Sequence, residues 1–370
     1  MATSTPNAAN VVTKFQADYF REFVREARFA FITGPLAGNS PAPIMIHQDR
    51  KTVSFPLITA LKDGGVSGSS TLDGNESVMS DYAFTTTPTY HRQGIRLNAE
   101  EREKPAFDQM SAARPLLMDW SMEKARDDTI EAFAMIDDVN YAASSEAQRD
   151  TFLGNNLDRF LFGSLLSNTS TTDHSASLAN IDSTNDLMSP DVIGIAKRLA
   201  GRASARIRPW KIKSKGIREM FVLLVGTYAF RDLMANATVI ANLQQARERA
   251  KSNPLWEPGD IVIDNVLVRE IPEITLNLTE ADTNTDPRYP SNGLSTAGNG
   301  SIAVEPCFLL GAQAIAFALG QKPEVKTDNL KDYGFQPGVA VEMKHQIKKV
   351  IYNGSQHGMV TIYVSGVADS

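Results

Sequence analysis

Lys51-Thr52-Val53-Ser54-Phe55-Pro56-Leu57-Ile58-Thr59-Ala60-Leu61-Lys62-Asp63-Gly64-Gly65-Val66-Ser67-Gly68-Ser69-Ser70 opens the stretch, 51–97, that decides the fold. Val53, Phe55 and Leu57 alternate with polar residues or Pro56, as on one face of a strand. The chain then runs through a tip rich in glycine, serine and aspartate, up to Leu72-Asp73-Gly74. It returns through Tyr82 and Phe84, then Ile95 and Leu97. The pattern predicts a long two-stranded arm with a mobile tip. A lone hairpin in water is marginally stable at best, so the apolar face of such an arm needs cover. A neighbouring copy of the chain can supply it. Val66, Leu72, Val78 and Met79 are the apolar anchors expected to make that contact, and the stretch points towards assembly rather than catalysis.

The rest of the composition fits an ordinary folded chain. Its 370 residues, 42% hydrophobic and 22% charged, suffice for a large core or for two or three lobes. A net charge of -6 argues against a protein that coats nucleic acid, which needs surplus Lys and Arg. The single cysteine, Cys307, excludes an intramolecular disulfide framework and a cysteine-cluster metal site; a buried structural thiol in a reducing compartment is expected. The opening Met1-Ala2-Thr3-Ser4-Thr5 has no basic segment followed by an apolar core, so no signal peptide is expected. The longest apolar run, Cys307 to Leu319, is too short to span a bilayer, and no membrane partner is expected.

Along the chain, Phe15, Tyr19, Phe23 and Ala27 recur every fourth residue and predict a helix from Val11 to Phe31. Gly34-Pro35 and Pro41-Ala42-Pro43 break it into an extended lead-in. The longest predicted helix covers 106–138, with Met118, Met122, Ala125, Ala132 and Ile136 on one stripe and Pro115 starting or kinking it. Residues 139–186 read as an insertion with one short helix carrying Phe152, Leu157, Phe160, Leu161 and Leu165. Ser189-Pro190-Asp191 starts a helix reaching Ala203. Met220 to Val225 is a continuous apolar run, expected of a strand buried on both faces. Helices are expected at Tyr228–Ala235, Val239–Ala250 and Ala312–Leu319. Ile261-Val262-Ile263 and Val266-Leu267-Val268 should pair around Asp264-Asn265, and 279–300 should be an exposed loop. Residues 335–367 are strand-rich and are expected to close the fold as one sheet.

The search for catalytic chemistry finds no constellation. The five histidines, His47, His91, His174, His345 and His357, are scattered, with no HExxH or HxH pair. There is no phosphate-binding glycine loop of either common type. Gly65-Val66-Ser67-Gly68-Ser69 misses the nucleophile-elbow spacing because Ser69 stands at the second glycine position. Asp127-Asp128 and Asp137-Asp138 read as solvated helix faces, and Glu100-Glu101-Arg102-Glu103-Lys104 as a solvated or inter-subunit salt-bridge surface. No catalytic residue, cofactor or metal is expected. One charge cluster stands out: Arg202, Arg206, Arg208, Lys211, Lys213, Lys215 and Arg218, with Trp210 among them. It suits a phosphate backbone or the acidic residues of a second subunit. It suits equally a solvated linker drawn to a helix C-terminus.

The order of these pieces resembles the major capsid proteins of tailed bacteriophages. The resemblance is carried by Lys51 to Leu61 with the Gly64-to-Gly68 tip, the return Leu72-Asp73-Gly74-Asn75-Glu76, and Phe221-Val222-Leu223-Leu224-Val225 leading to Tyr228-Ala229-Phe230-Arg231-Asp232-Leu233. Asn253-Pro254-Leu255-Trp256, Val266 to Glu270, Leu310-Gly311-Ala312-Gln313-Ala314 and Asp332-Tyr333-Gly334 to Lys349 continue it; 139–186 matches less clearly. The resemblance implies the α+β tailed-phage major capsid (Johnson) fold: an N-terminal arm (1–50), an E-loop hairpin (51–97), a P-domain with spine helix and insertion (98–186), an A-domain (187–325) and a P-domain C-terminal sheet (326–370). It also implies hexamers and pentamers of an icosahedral shell around double-stranded DNA, with portal, scaffolding and decoration proteins as partners and the virion as location. Loop 279–300 would approach the capsomer centre. An encapsulin-like protein compartment shares that fold, and an α/β hydrolase-type enzyme is the rival of another class.

Overall fold

The structure, a computed structural model, describes residues 28–35, 41–58, 65–69, 71–76, 79, 81–98, 109–213, 217–241, 260–283 and 286–369. The predicted helix at 11–31 and the charged run 100–104 lie outside them, apart from a short turn of helix at Ala30–Ile32. In chain order come strands β1 (Thr33–Pro35), β2 (Ile44–Gln48), β3 (Val53–Ile58), β4 (Asp81–Thr86) and β5 (Thr89–Arg96). Helix α1 (Gln109–Ala134) and helix α2 (Glu146–Asn155) precede β6 (Phe160–Phe162). Next are α3 (His174–Ala179), α4 (Pro190–Arg202), β7 (Trp210–Lys213), β8 (Ile217–Val225) and α5 (Thr227–Ala235). The chain ends through β9 (Asp260–Ile263), β10 (Val266–Glu270), β11 (Val304–Leu310), β12 (Ile315–Asp328), β13 (Gly338–Lys349), β14 (Ile351–Tyr352), β15 (Ser355–Gln356) and β16 (Met359–Ser365).

Among the described residues the stem of the arm forms as its pattern predicts. β3 and β4 pair antiparallel with Phe55 opposite Phe84, the two rings 6.2 Å apart. These rings pack with Met45, Ala316 and Val350, which roots the arm in the body. The return run splits. Tyr82 and Phe84 belong to the arm, whereas Ile95 lies on β5, which leaves it and pairs antiparallel with β13.

Two sheets carry the body. The first has the order β1-β2-β12-β13-β5; the second runs β6-β16-β11-β8-β10-β9, with β7 beside β8. Helix α1 lies against the first sheet, where Leu117 packs with Val325, Val339 and Val341. Its buried stripe is Ala113, Leu117, Ser121, Ala125 and Thr129, ending in Ile130, Ala132 and Phe133. Ala125, Ala132 and Ile136 of the expected stripe are buried, whereas Met118 and Met122 are only half-buried, one residue past the buried Leu117 and Ser121. Pro115, itself exposed, sits inside the 26-residue helix and does not begin it.

The second sheet is buried on both faces. One face meets the end of α1 through Phe133, stacked on Phe308 at 5.4 Å. The other is covered by α4 and α5, with Val192, Ile193, Ala196, Ala229 and Leu233 over Leu223, Val225 and Leu309. Val222 to Val225 are wholly buried, as a continuous apolar run on a central strand requires. Cys307 is buried on the neighbouring β11, and burial pushes its thiol well up. Ser189 caps α4 through Val192 N, with Pro190 at its first turn. Asp264 and Asn265 both take positive φ, 46° and 61°, and turn β9 into β10 as the sequence predicts.

Several expectations are corrected. Residues 315–319 open the long strand β12 rather than belonging to a helix. A short apolar run cannot choose between the two, and here pairing with both β2 and β13 decides. The 139–186 region holds two helices rather than one, α2 ending at Asn155 and α3 at His174–Ala179, and Phe160–Phe162 between them pair with β16 as a strand. The C-terminal strands do not form one sheet: β13 belongs to the first and β16 to the second. The expected limit at 325/326 falls inside β12 (Ile315–Asp328), which pairs with β13 on both sides of it. Of the predicted helix 239–250, residues 237–241 are helical and 242–259 lie outside the described residues.

Candidate assembly surfaces and the junction at the arm base

The expected contact residues of the arm stand in different settings. Val66 is half-buried, Leu72 and Met79 are 61% and 63% exposed, and Val78 lies outside the described residues. Ile58 at the end of β3 is 63% exposed as well. A turn closed by Asn75 N donating to Leu72 O at 2.9 Å presents Leu72, with Gly74 at φ 84° where a side chain would be strained. The arm thus displays large apolar side chains that its own chain leaves uncovered.

At the root of the arm the fold assembles what the sequence scattered. His91 on β5 and His345 on β13 stack with ring centroids 4.4 Å apart. They lie diagonally on one face of the antiparallel pair, since His91 stands opposite Met343. His345 Nε2 lies 2.9 Å from Asp128 Oδ2 on α1, and Lys124 Nζ lies 2.5 Å from Asp128 Oδ1. Burial pushes the Asp128 carboxyl up, but the His345 hydrogen bond and Lys124 outweigh it and hold it below its ordinary value. His91 is lowered by burial and by the adjacent His345. The reading of Asp127-Asp128 as a solvated face is therefore overturned. Asp127 is also buried and accepts hydrogen bonds from Asn277 Nδ2 at 3.1 Å and Tyr289 hydroxyl at 3.2 Å. Asp137 and Asp138 do stay exposed, in a turn of positive φ after α1.

Tyr289 belongs to the 279–300 loop, which turns back onto the helix. Arg288 Nη1 pairs with Glu123 at 2.6 Å, and Asp282 gathers Ser291 and the amides of Asn292, Gly293 and Ser295. These bonds hold the Asp282 carboxyl far below its usual range, against the upward push of burial. The described residues of this segment form a clasp on α1, where the polarity of the sequence predicts only an exposed loop.

The basic cluster runs from the end of α4 to the β7–β8 pair. Arg202 ends α4, exposed Arg206 and Arg208 follow, and Lys211 lies on β7, paired at 3.1 Å with Glu219 on β8. Lys213 and Arg218 lie on the same antiparallel pair, and Lys215 is outside the described residues. Hydrogen bonds from Ala312 N to Arg208 O at 2.7 Å and from Ile207 N to Ala200 O at 3.0 Å fix the backbone here. Arg202, Arg206 and Arg208 are exposed along this stretch.

Among the described residues no helix is long and apolar enough to cross a membrane. Residues 3–368 match the profile of a family described as phage capsid protein. The chain belongs to the phage capsid protein family. Like others of this family, it is a component of the virion. It is similar to the solved capsid asymmetric unit of cyanophage Pam1, with 30% identity over 94% of both chains and a TM-score of 0.81. The capsid of Ralstonia phage GP4 shares the fold at TM-score 0.65, with 19% identity over 93% of this chain and 91% of that one. A major capsid protein of Pseudomonas phage KPP25 is 25% identical over 193 residues, about half the length of each chain (49% and 48%). The α+β capsid fold expected of the sequence is the fold these structures share.

Proposed function

We propose that this phage capsid protein is the shell-forming subunit of a tailed-phage head. It self-assembles into hexamers and pentamers of an icosahedral shell that encloses packaged double-stranded DNA without reading its sequence. Portal and scaffolding proteins, and decoration proteins where the shell carries them, are its further partners. The observation that carries the reading is the arm: a two-stranded stem rooted in the body whose outer part exposes Ile58, Leu72 and Met79. Burying one such side chain against another copy contributes about 1.5–3 kcal/mol. The stretch 51–97 acts as the E-loop of a neighbour-lapping contact, and the excess of acidic residues suits a container that must release its DNA.

Expression of the full chain followed by negative-stain microscopy tests this. Closed shells are expected from the wild type. Leu72→Asp combined with Met79→Asp should leave soluble folded subunits with shells reduced at least tenfold, because each copy would bury two charges. Proteolysis should cut 62–80 in free subunits and spare it in shells. Unassembled protein under every condition, or equal cutting in both states, refutes the reading. Shells filled by a protein cargo in place of DNA point to an encapsulin-like compartment.

The basic patch is proposed to serve assembly or DNA contact. Reversing Arg206, Arg208 and Lys211 to Glu should leave the fold intact and make assembly salt-sensitive. Each exposed pair is worth only about 0–1 kcal/mol, but every copy in the shell carries the defect. Shells as stable and as full as wild type across salt concentrations would show a merely solvated surface.

A further inference from the structure

We propose that His91, Asp128 and His345 form a binding site for one divalent transition-metal ion of the zinc type, tying the root of the arm to the long helix. Three separate elements bring these side chains together: edge strand β5, helix α1 and strand β13. One ligand atom from each lies within 4.8 Å of the others. Two imidazole nitrogens and one carboxylate oxygen suit zinc, whereas calcium and magnesium prefer all-oxygen shells.

The surroundings fit the donors. Thr89 Oγ1 lies 3.3 Å from His91 Nε2, close enough to fix one ring nitrogen and leave Nδ1 as the ligand. His345 is buried, and Phe317 meets its ring edge-on with centroids 5.9 Å apart, which restricts its orientation. Lys124 occupies Asp128 Oδ1 and leaves Oδ2 towards His345, so it supports the carboxylate as an outer hydrogen-bond partner. Two features oppose tight binding. The Lys124 charge repels a cation, and the stacked imidazoles, tilted by 26°, require one ring to turn before both lone pairs converge. Half-buried His91, on an edge strand, is the ring free to do so. Micromolar rather than nanomolar affinity follows.

A metal here would act on the arm. β5 continues directly from β4 through Thr87 and Pro88, so holding His91 fixes the angle at which the stem leaves the body. No motif announces the site, because the ligands are far apart along the chain and follow none of the short histidine spacings of familiar sites.

Titration of the metal-free full chain with Zn2+, followed by calorimetry and thermal unfolding, is the test. One ion per subunit with micromolar affinity is expected, together with a rise of several degrees in Tm at saturating metal. Co2+ in place of Zn2+ should give visible absorption bands of low-coordinate cobalt. His91→Ala and Asp128→Asn should each weaken binding at least tenfold, and His47→Ala should not. His91 and Asp128 are chosen because replacing buried His345 risks the fold. Absence of binding at high micromolar Zn2+, or binding that survives both substitutions unchanged, overturns the proposal.

Discussion

Gly226→Ala is expected to destabilise the subunit by about 3 kcal/mol, from overpacking and a broken buried hydrogen-bond set together. Its backbone is extended, φ -78° and ψ 179°, so conformation does not demand glycine. Space does. A Cβ would come within 2.5 Å of Glu305 Cδ and Thr275 Oγ1. Neither can swing aside. Glu305 is wholly buried, accepts from Ala229 N at 2.5 Å and from the Thr275 hydroxyl, and so caps α5 in place of the side chain that Gly226 lacks. Burial pushes the Glu305 carboxyl up to about 7, only partly relieved by these donors. Urea unfolding of the free subunit measures the effect. A loss below about 1 kcal/mol would mean that the backbone turn yields and the cradle is soft.

The second large effect is a pH dependence carried by His174. This ring is 1% exposed, edge-on to Phe160, Phe162 and Tyr363, and neither ring nitrogen has a hydrogen-bond partner. Burial, aided by Arg149, lowers it from 6.5 to about 3. The folded pKa lies below the unfolded one. The neutral ring's contribution is thus complete above pH 6.5 and declines as pH falls towards 3. Between pH 8 and pH 5 the loss is about 2 kcal/mol. The wild-type curve alone does not isolate it. Glu305, raised to about 7, gains stability as pH falls from 7 to 4.5, and Lys349, lowered by burial to about 7, loses stability as pH falls from 10.5 to 7. The difference between wild type and His174→Leu removes both. Wild type should lose about 2 kcal/mol relative to the variant between pH 8 and pH 5; parallel curves would show that the ring takes up its proton as readily in the folded state as in the unfolded one.

Much of the fold was legible where one local rule acted without competition. The arm stem followed from alternation, β8 from a continuous apolar run, α4 from Ser189-Pro190, and the β9–β10 hairpin from Asp264-Asn265. Errors fell where two rules gave the same text. Ala312 to Leu319 has the length and apolarity of either a helix or a buried strand, and only β2 and β13 on its two sides settle it. On α1, Met118 and Met122 depart from the expected stripe because the buried face includes Ser121 and Thr129, whose hydroxyls bond back to Met118 and Ala125 carbonyls and so tolerate burial.

By itself, then, the sequence determined the local elements, the need of the arm for cover and the order of pieces that marks a capsid chain. Tertiary structure decided everything that depends on distant residues meeting: the division of the C-terminal strands between two sheets, the clasp of Arg288 and Tyr289 on α1, the Glu305 cradle at Gly226, and the junction of His91, Asp128 and His345. Strand pairing sets which side chains share a face, and pairing partners lie up to hundreds of residues apart. No periodicity within a window of the chain records that information.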